Sequence, residues 1–156
     1  MKNAITGLRL MPFLLFFILL MLPACGQKAQ GTVTGLDNVI QNNFQEFTGK
    51  KIGIICNHTS LSKSGDHIVD LFHEKCEVLA IFAPEHGYRG DEAAGAHITD
   101  GRDTKTGIKI YSLYGKNRKP TAEMLQDIDL LIYDIQDVGV RFYTYISTMT
   151  HCMTTA

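Results

Sequence analysis

Three short polar segments contain the residue types that could carry out chemistry in this chain. They are residues 57–60 (NHTS), 84–91 (PEHGYRGD) and 134–143 (DIQDVGVRFY). Their amide, carboxylate, imidazole, guanidinium and phenol groups are those with which proteins transfer protons and hold polar ligands. The candidate catalytic residues are Glu85, His86, Asp134 and Asp137. The candidate ligand-binding residues are Asn57, Tyr88, Arg89, Arg141 and Tyr143.

Each polar segment follows or ends a short apolar run that must position it. Four strands are predicted by the apolar runs 51–56, 78–83, 108–113 and 130–135. Apolar residues at helical spacing predict helices over 37–47 and 64–75, and a helical pattern resumes at Phe142. Thr121 predicts the N-cap of a further short helix. Residues 87–107, rich in glycine and charge, predict a long loop.

This order of elements predicts an α/β domain with a mainly parallel sheet and flanking helices. The strands are apolar along nearly their whole length, which is typical of a sheet covered on both faces. In open sheets of this kind, ligands bind beyond the carboxyl ends of the strands. We therefore expect the three polar segments to meet along one edge of the sheet.

Several short blocks occur in a fixed order along the chain. They are PEHG and RG within 84–90, YSLYG and KPT within 111–121, and DIQDVG and RFYTY within 134–145. Together these blocks resemble the successive signature blocks of the exo-β-N-acetylmuramidase family, and the resemblance extends from Gly35 to the end. It implies a Rossmann-like N-terminal domain that is followed, in family members, by a C-terminal domain framing the cleft. This sequence would then supply the first domain, incomplete at its C-terminus.

The resemblance implies a glycoside hydrolase that releases N-acetylmuramic acid from the non-reducing ends of peptidoglycan glycans, in cell-wall turnover or recycling. Cleaving a glycosidic bond requires a proton on the leaving oxygen and stabilisation of an oxocarbenium-like centre, commonly by two carboxyl groups. Glu85 is the candidate acid, because it follows an apolar strand and a rigid proline. The alternatives for the second role are Asp134, Asp137 and the N-acetyl group of the substrate. His86 would orient Glu85, bind a sugar hydroxyl group or make a structural hydrogen bond.

Recognition of muramic acid requires a cation, because this sugar differs from glucosamine by a lactyl carboxylate. Arg89 and Arg141 are the candidates, with Arg102 as a third; for each, the alternative is a surface arginine without a ligand. The candidates for stacking on sugar rings or binding hydroxyl groups are Tyr88, Tyr143 and Asn57. Core packing of the aromatic rings and capping of the turn by the asparagine are the alternatives.

The beginning of the chain has the pattern of a bacterial lipoprotein signal. Lys2 and Arg9 precede an apolar run at 11–22, and Cys25 follows a small residue. The run is shorter than the roughly 20 residues of a membrane span, so we expect cleavage. The predicted segments are a signal peptide at 1–24, a tether at 25–34 and a domain at 35–156. Acylated Cys25 would attach the protein to a membrane of the cell envelope, as a periplasmic or outer-membrane lipoprotein; an ordinary secretory signal is the alternative.

Charge and cysteine content argue against several other classes of function. The formal net charge is −1 and the pI is about 6.6, so no long-range attraction to nucleic acid is expected. The basic cluster at 116–119 is interpreted as a solvated loop. The cysteines after Cys25 form no C-x-x-C pair, so neither a zinc site nor a disulfide framework is indicated, and no cofactor is expected.

Two further functions stay open at the level of the sequence. A non-catalytic, sugar-binding surface lipoprotein would use the same cleft. A metal-dependent hydrolase would use ligands from the set His58, His86, Asp134 and Asp137, although the sequence contains no H-E-x-x-H spacing.

Overall fold

Four of the apolar runs form parallel strands in the computed structural model, which describes residues 31–90 and 100–156. The strands are β1 (Lys51–Cys56), β2 (Glu77–Ala83), β3 (Gly101–Arg102), β4 (Lys109–Ser112) and β5 (Leu130–Asp134). Their order in the sheet is β3-β4-β2-β1-β5; β3 runs antiparallel to β4, and the other pairs are parallel. The prediction of an α/β fold with a mainly parallel sheet is confirmed.

The register of the parallel strands brings the polar segments to one edge of the sheet. Cys56, the last residue of β1, pairs with Asp134, the last residue of β5. On the other side of β1, Ile55 pairs with Phe82 near the end of β2. The carboxyl ends of these three strands therefore lie side by side, as expected from the sequence.

The N-terminal helix is shorter than the apolar spacing predicted. Helix α1 covers Gly35–Gln41 and a 3₁₀ helix covers Gln45–Phe47. The predicted helix over 37–47 is interrupted because Asn43 and Phe44 adopt left-handed φ angles of 48° and 56°. This reversal places Phe44 in the core, where its ring lies edge-on to that of Phe72 with centroids 4.9 Å apart. Burial of one aromatic ring thus overrides helical continuity.

Helix α2 covers Ile68–Lys75 and begins later than the predicted start at residue 64. The delay has a local cause, because Leu61 and His67 form an isolated β-bridge that keeps the intervening chain in a tight loop. His67 is the N-cap: its Nδ1 accepts a hydrogen bond from the Val69 amide at 3.3 Å. A side-chain acceptor at this position satisfies one of the free amides of the first turn.

Helix α3 covers Tyr145–Met153 and packs on the opposite face of the sheet from α1 and α2. On the α1 and α2 face, Ile54 and Ile81 pack with Phe72 in a buried cluster. On the α3 face, Phe82 packs with Cys152. The sheet is therefore covered on both faces, which explains its nearly continuous apolar strands.

The segment after Thr121 forms turns where a short helix was predicted. The Thr121 hydroxyl accepts a hydrogen bond from the Met124 amide at 3.3 Å, as an N-cap does. The segment does not continue as a helix, because Asp127 adopts a left-handed φ of 66° and β5 begins at Leu130. The capping signal was identified correctly, but the chain is too short there for a regular helix.

Some predictions fall partly or wholly outside the described residues. Residues 91–99 of the predicted loop are outside them, whereas β3 lies within the rest of that loop. The predicted signal peptide, Cys25 and most of the tether are outside them as well, and residues 33–156 form one compact unit. Within the described ranges, the helices are all too short or too polar to cross a membrane.

Candidate active site

Glu85 lies in a tight turn directly after β2. The Gly87 amide donates a hydrogen bond to the Pro84 carbonyl at 3.1 Å, and His86 occupies the third position of the turn with a φ of 72°. Glycine is preferred where φ is positive, and a non-glycine residue costs about 1–2 kcal/mol there. Pro84 is fully buried, whereas Glu85 and His86 are half-buried. The turn thus fixes the backbone and leaves the Glu85 carboxyl group accessible.

The Glu85 side chain lines a cleft of about 600 Å³, which we call the Glu85 cleft. One wall is the turn that holds Glu85, a second is the loop after β4, and the third is α3 with its N-cap residue. The residues that line it are Glu85, Leu113, Tyr114, Gly115, Arg118, Thr144, Ser147, Thr148 and His151. The volume lies within the range of roughly 300–1,000 Å³ that is usual for small-ligand sites.

Two charged neighbours in the cleft act on the Tyr114 phenol. Hydrogen bonding to Glu85, and then its negative charge, raises the pKa of the Tyr114 phenol, while the charge of Arg118 acts in the opposite direction. A carboxyl group, a phenol and a guanidinium therefore lie within interaction distance on one side of the cleft. His151 adds an imidazole from α3. This set can donate a proton, accept hydrogen bonds and hold an anionic group.

Tyr88 and Arg89, predicted to bind substrate, contact two carboxylates of the domain. The Arg89 Nη2 atom lies 2.7 Å from Asp70 Oδ1 and 3.2 Å from Asp103 Oδ2, and its Nε donates to the Tyr88 hydroxyl oxygen at 2.9 Å. The Tyr88 hydroxyl in turn donates to Asp103. We call these four residues the Arg89 network. Hydrogen bonding from Arg89 lowers the pKa of Asp70.

Asp134 and Asp137 are placed apart from the Glu85 cleft. Asp134 lies on the same side of β5 as Ile132, facing the α1 and α2 layer, and lines a separate depression of about 340 Å³. Burial raises the pKa of its carboxyl group. Asp137 is exposed and accepts a hydrogen bond from the Gly139 amide at 2.7 Å. Neither side chain lines the Glu85 cleft as the described residues define it.

Asn57 is fully buried and caps the turn that follows β1. Its Oδ1 accepts hydrogen bonds from the Thr59 amide at 2.9 Å and from the Thr59 hydroxyl at 2.6 Å. Its Nδ2 has no hydrogen-bond partner among the described residues. The buried His67 Nε2 lies 3.0 Å from the Asn57 carbonyl oxygen and 3.1 Å from the Tyr88 carbonyl oxygen, and it donates to both. His67 thereby ties the first polar segment to the second, a role that the sequence did not indicate.

The remaining candidates lie at the rim of the sheet edge. Arg141 and Tyr143 are exposed in the segment before α3, and the Tyr143 ring centroid is 5.4 Å from that of Phe142. His58 packs against Gly90. A Cβ atom added to Gly90 would lie 2.8 Å from the His58 Cβ. Across residues 31–90 and 100–156, His, Cys, Asp and Glu side chains form no group of three or more that could hold a metal ion.

The sequence interpretation missed several residues that line the cleft. Tyr114 and Gly115 belong to the YSLYG block, which could have indicated them. Arg118 was interpreted as part of a solvated loop, and the polar residues of α3 carried no motif. Their proximity to Glu85 follows from the packing of α3 against the sheet, which helical periodicity alone does not specify.

Comparison with known proteins gives a consistent family assignment. Residues 52–156 match the family described as "Exo-beta-N-acetylmuramidase NamZ, N-terminal". A peptidoglycan beta-N-acetylmuramidase NamZ from Bacillus subtilis (strain 168) is 46% identical over 125 residues, which is 79% of this chain and 30% of that protein.

Two crystal structures of DUF1343 family proteins from Bacteroides fragilis NCTC 9343 are also similar. One has 46% identity and a TM-score of 0.70, and the other has 37% identity and a TM-score of 0.62. In each case the match covers 78% of this chain and 30% of the other. The chain thus spans about 30% of the length of these relatives. It belongs to the exo-β-N-acetylmuramidase NamZ family and corresponds to its N-terminal domain.

Proposed function

We propose that the protein carrying this chain is a glycoside hydrolase that releases N-acetylmuramic acid from the non-reducing ends of peptidoglycan glycans, in cell-wall turnover or recycling. The observation that carries the proposal is the Glu85 carboxyl group, half-buried at the wall of a cleft of about 600 Å³. Membership of the NamZ family supports it, as does the name of the Bacillus subtilis relative.

In the proposed reaction, Glu85 is the general acid. It would protonate the glycosidic oxygen as the bond to the anomeric carbon breaks and positive charge develops on the sugar ring. Tyr114, which lines the same cleft as Glu85, would donate a hydrogen bond to the carboxylate that remains after the proton has left. Substrate binding would draw on the hydroxyl groups that α3 contributes to the cleft.

The reaction also requires a second group that stabilises the oxocarbenium-like centre. Among the described residues that line the cleft, Glu85 is the one carboxylate. The N-acetyl group of the substrate is one candidate nucleophile, a known alternative to a second carboxyl group. Asp134 and Asp137 remain candidates, and a longer protein can supply further carboxylates.

The test is release of N-acetylmuramic acid by the complete gene product and by its Glu85→Gln variant. Glutamine keeps the shape but cannot donate an acidic proton, so turnover of natural glycans should fall by about 10²–10⁴-fold. The loss should shrink on nitrophenyl glycosides, whose leaving group needs little protonation. Glu123→Gln, which changes an exposed residue outside the cleft, is the matched control.

Two results would contradict this assignment. Full activity of Glu85→Gln on natural glycans would remove Glu85 as the acid. An equal loss on both substrate types would indicate a nucleophilic or electrostatic role instead. A thermal melt of the variant separates these outcomes from simple unfolding.

We also propose that the protein is a lipoprotein of the cell envelope, anchored through Cys25. The basic residues Lys2 and Arg9, the apolar run and the small residue before Cys25 support this. The wild-type protein should partition with membranes, and Cys25→Ala should become soluble or stay unprocessed, because stable anchoring requires acyl chains. Cys76→Ala, at a half-buried thiol of the domain, is the control. Equal partitioning of the wild-type and Cys25→Ala proteins would contradict the proposal.

A further inference from the structure

We propose that Arg118 binds the lactyl carboxylate of the muramyl sugar and so determines the specificity of the Glu85 cleft. This inference rests on the proposed function, because it names the group that the cleft recognises on the same substrate. In this role Arg118, which the sequence placed in a solvated loop, takes the place of the candidates Arg89 and Arg141.

The Arg118 side chain lines the same cleft as Glu85, on the wall formed by the loop after β4. Its positive charge and the Glu85 carboxylate both act on the Tyr114 phenol, which lines the same cleft. The guanidinium therefore lies near the reacting carboxyl group but in a separate segment of the chain. A sugar with its glycosidic oxygen at Glu85 can extend a substituent towards it.

The other described arginines are held by the protein or lie outside the cleft. Arg89 is held by Asp70 and Asp103. Arg102 donates from Nη1 to the Gly107 carbonyl at 2.9 Å. Arg141 is exposed, and the cleft is lined without it.

The Arg118 guanidinium forms no ion pair with any residue in the described ranges 31–90 and 100–156. A planar guanidinium stays charged at any physiological pH and can bind a carboxylate with two parallel hydrogen bonds. His151, the other basic residue of the cleft, is an imidazole and offers no such fork.

The test compares two substrates that differ in one charge. Nitrophenyl β-glycosides of N-acetylmuramic acid are prepared with the lactyl group as the free acid and as its methyl ester. The wild-type gene product should prefer the acid. Arg118→Met should reduce kcat/KM on the acid by about 10- to 100-fold, the usual effect of losing a charge-assisted hydrogen bond, and should leave the ester nearly unaffected.

Two further variants make the test specific. Lys116→Met removes the same charge from an exposed position in the same loop, outside the cleft lining, and should keep the wild-type ratio of acid to ester. Arg118→Lys keeps the charge without the fork and should recover part of the preference. Arg118 is exposed, so thermal melts of all variants should coincide with that of the wild type.

The outcomes separate this inference from the proposed function. An unchanged ratio in Arg118→Met, or an equal fall of the ratio in Lys116→Met, would overturn the role of Arg118. If the wild-type protein cleaves neither substrate, the proposed function fails. In that case calorimetric binding of free N-acetylmuramic acid decides about Arg118: weaker binding in Arg118→Met than in wild type supports it, and equal binding overturns it.

Discussion

The segment 84–90 contributes to two polar regions that differ in how completely their charges are paired. In the Arg89 network, the guanidinium lies within 3.2 Å of two carboxylates. In the Glu85 cleft, the guanidinium of Arg118 has no carboxylate partner among the described residues. A fully satisfied polar group holds its surroundings in place, whereas an unsatisfied one is available to a ligand. Two arginines of one domain therefore have different expected roles.

This comparison predicts that Arg89 supports stability. Arg89→Met would remove the cation that holds Asp103 and one of the two that contact Asp70, and breaking a buried pair costs about 3–5 kcal/mol. The Arg89 side chain is 24% exposed, so we expect a smaller loss of about 2–4 kcal/mol in the free energy of unfolding. The loss is measured by urea denaturation of the purified protein.

Two controls make that prediction specific. Lys105 also contacts Asp70, at 2.8 Å, but its side chain is 65% exposed, so Lys105→Met should cost at most about 1 kcal/mol. Arg118→Met should change the free energy of unfolding by no more than about 0.5 kcal/mol. If Arg89→Met and Arg118→Met had equal effects on stability, the distinction between the two regions would be wrong.

The same two regions show what the sequence could specify. The apolar runs gave the four parallel strands, and the positions of the polar segments after them gave the shared edge. The sequence did not indicate that Arg89 pairs with Asp70 of α2 and with Asp103, because these contacts join positions 19 and 14 residues apart. Such pairings depend on how helices pack on the sheet, and local spacing carries no information about that packing.

The sequence also did not indicate which face of the sheet a residue lies on. Asp134 was placed correctly at the end of a strand, yet strand alternation directs its side chain to the α1 and α2 face. Glu85 follows β2 through a turn, and that turn orients it towards α3. A one-residue difference in where a strand ends would reverse such an assignment. The sequence therefore indicates the edge of the sheet more securely than the face.

For Asp134 we predict the opposite effect on stability: its replacement should stabilise the protein, whereas replacement of Arg89 should destabilise it. Burial raises the pKa of Asp134 in the folded protein above an unfolded value near 3.9, so its contribution to stability is full below about pH 4. That contribution is lost as the pH rises through the raised folded value. Asp134→Asn removes the ionisation and should stabilise the protein at pH 7 by about 0.5 kcal/mol, and less at pH 4. Urea denaturation at both pH values is the measurement.

Loss of stability in Asp134→Asn at pH 7 would show that the ionised carboxylate is held by favourable contacts. Asp137→Asn is the comparison, because Asp137 is exposed and its replacement should leave the free energy of unfolding nearly unchanged. If Asp134 supplies the second catalytic carboxyl group, its variant should also lose turnover. If only the described residues that line the cleft take part in catalysis, Asp134→Asn should keep its turnover.

The smallest expected effect concerns the turn that orients Glu85. His86 has a φ of 72°, in a region that favours glycine, so His86→Gly should relieve strain in the folded protein. The greater freedom of glycine in the unfolded chain offsets part of this gain, which leaves about 0.5 kcal/mol of net stabilisation. Backbone strain at such a position is retained when the side chain contributes to function. We therefore expect kcat on natural glycans to fall while the melting temperature rises.

A second strained residue provides the matched control. Asn43 has a φ of 48° and is exposed between α1 and the 3₁₀ helix, outside the lining of the Glu85 cleft. Asn43→Gly should raise the melting temperature without changing kcat. If His86→Gly is stabilised and fully active, the imidazole neither orients Glu85 nor binds a sugar hydroxyl group. If His86→Gly is destabilised, contacts of the imidazole outweigh the strain, and the structural alternative for His86 is the correct one.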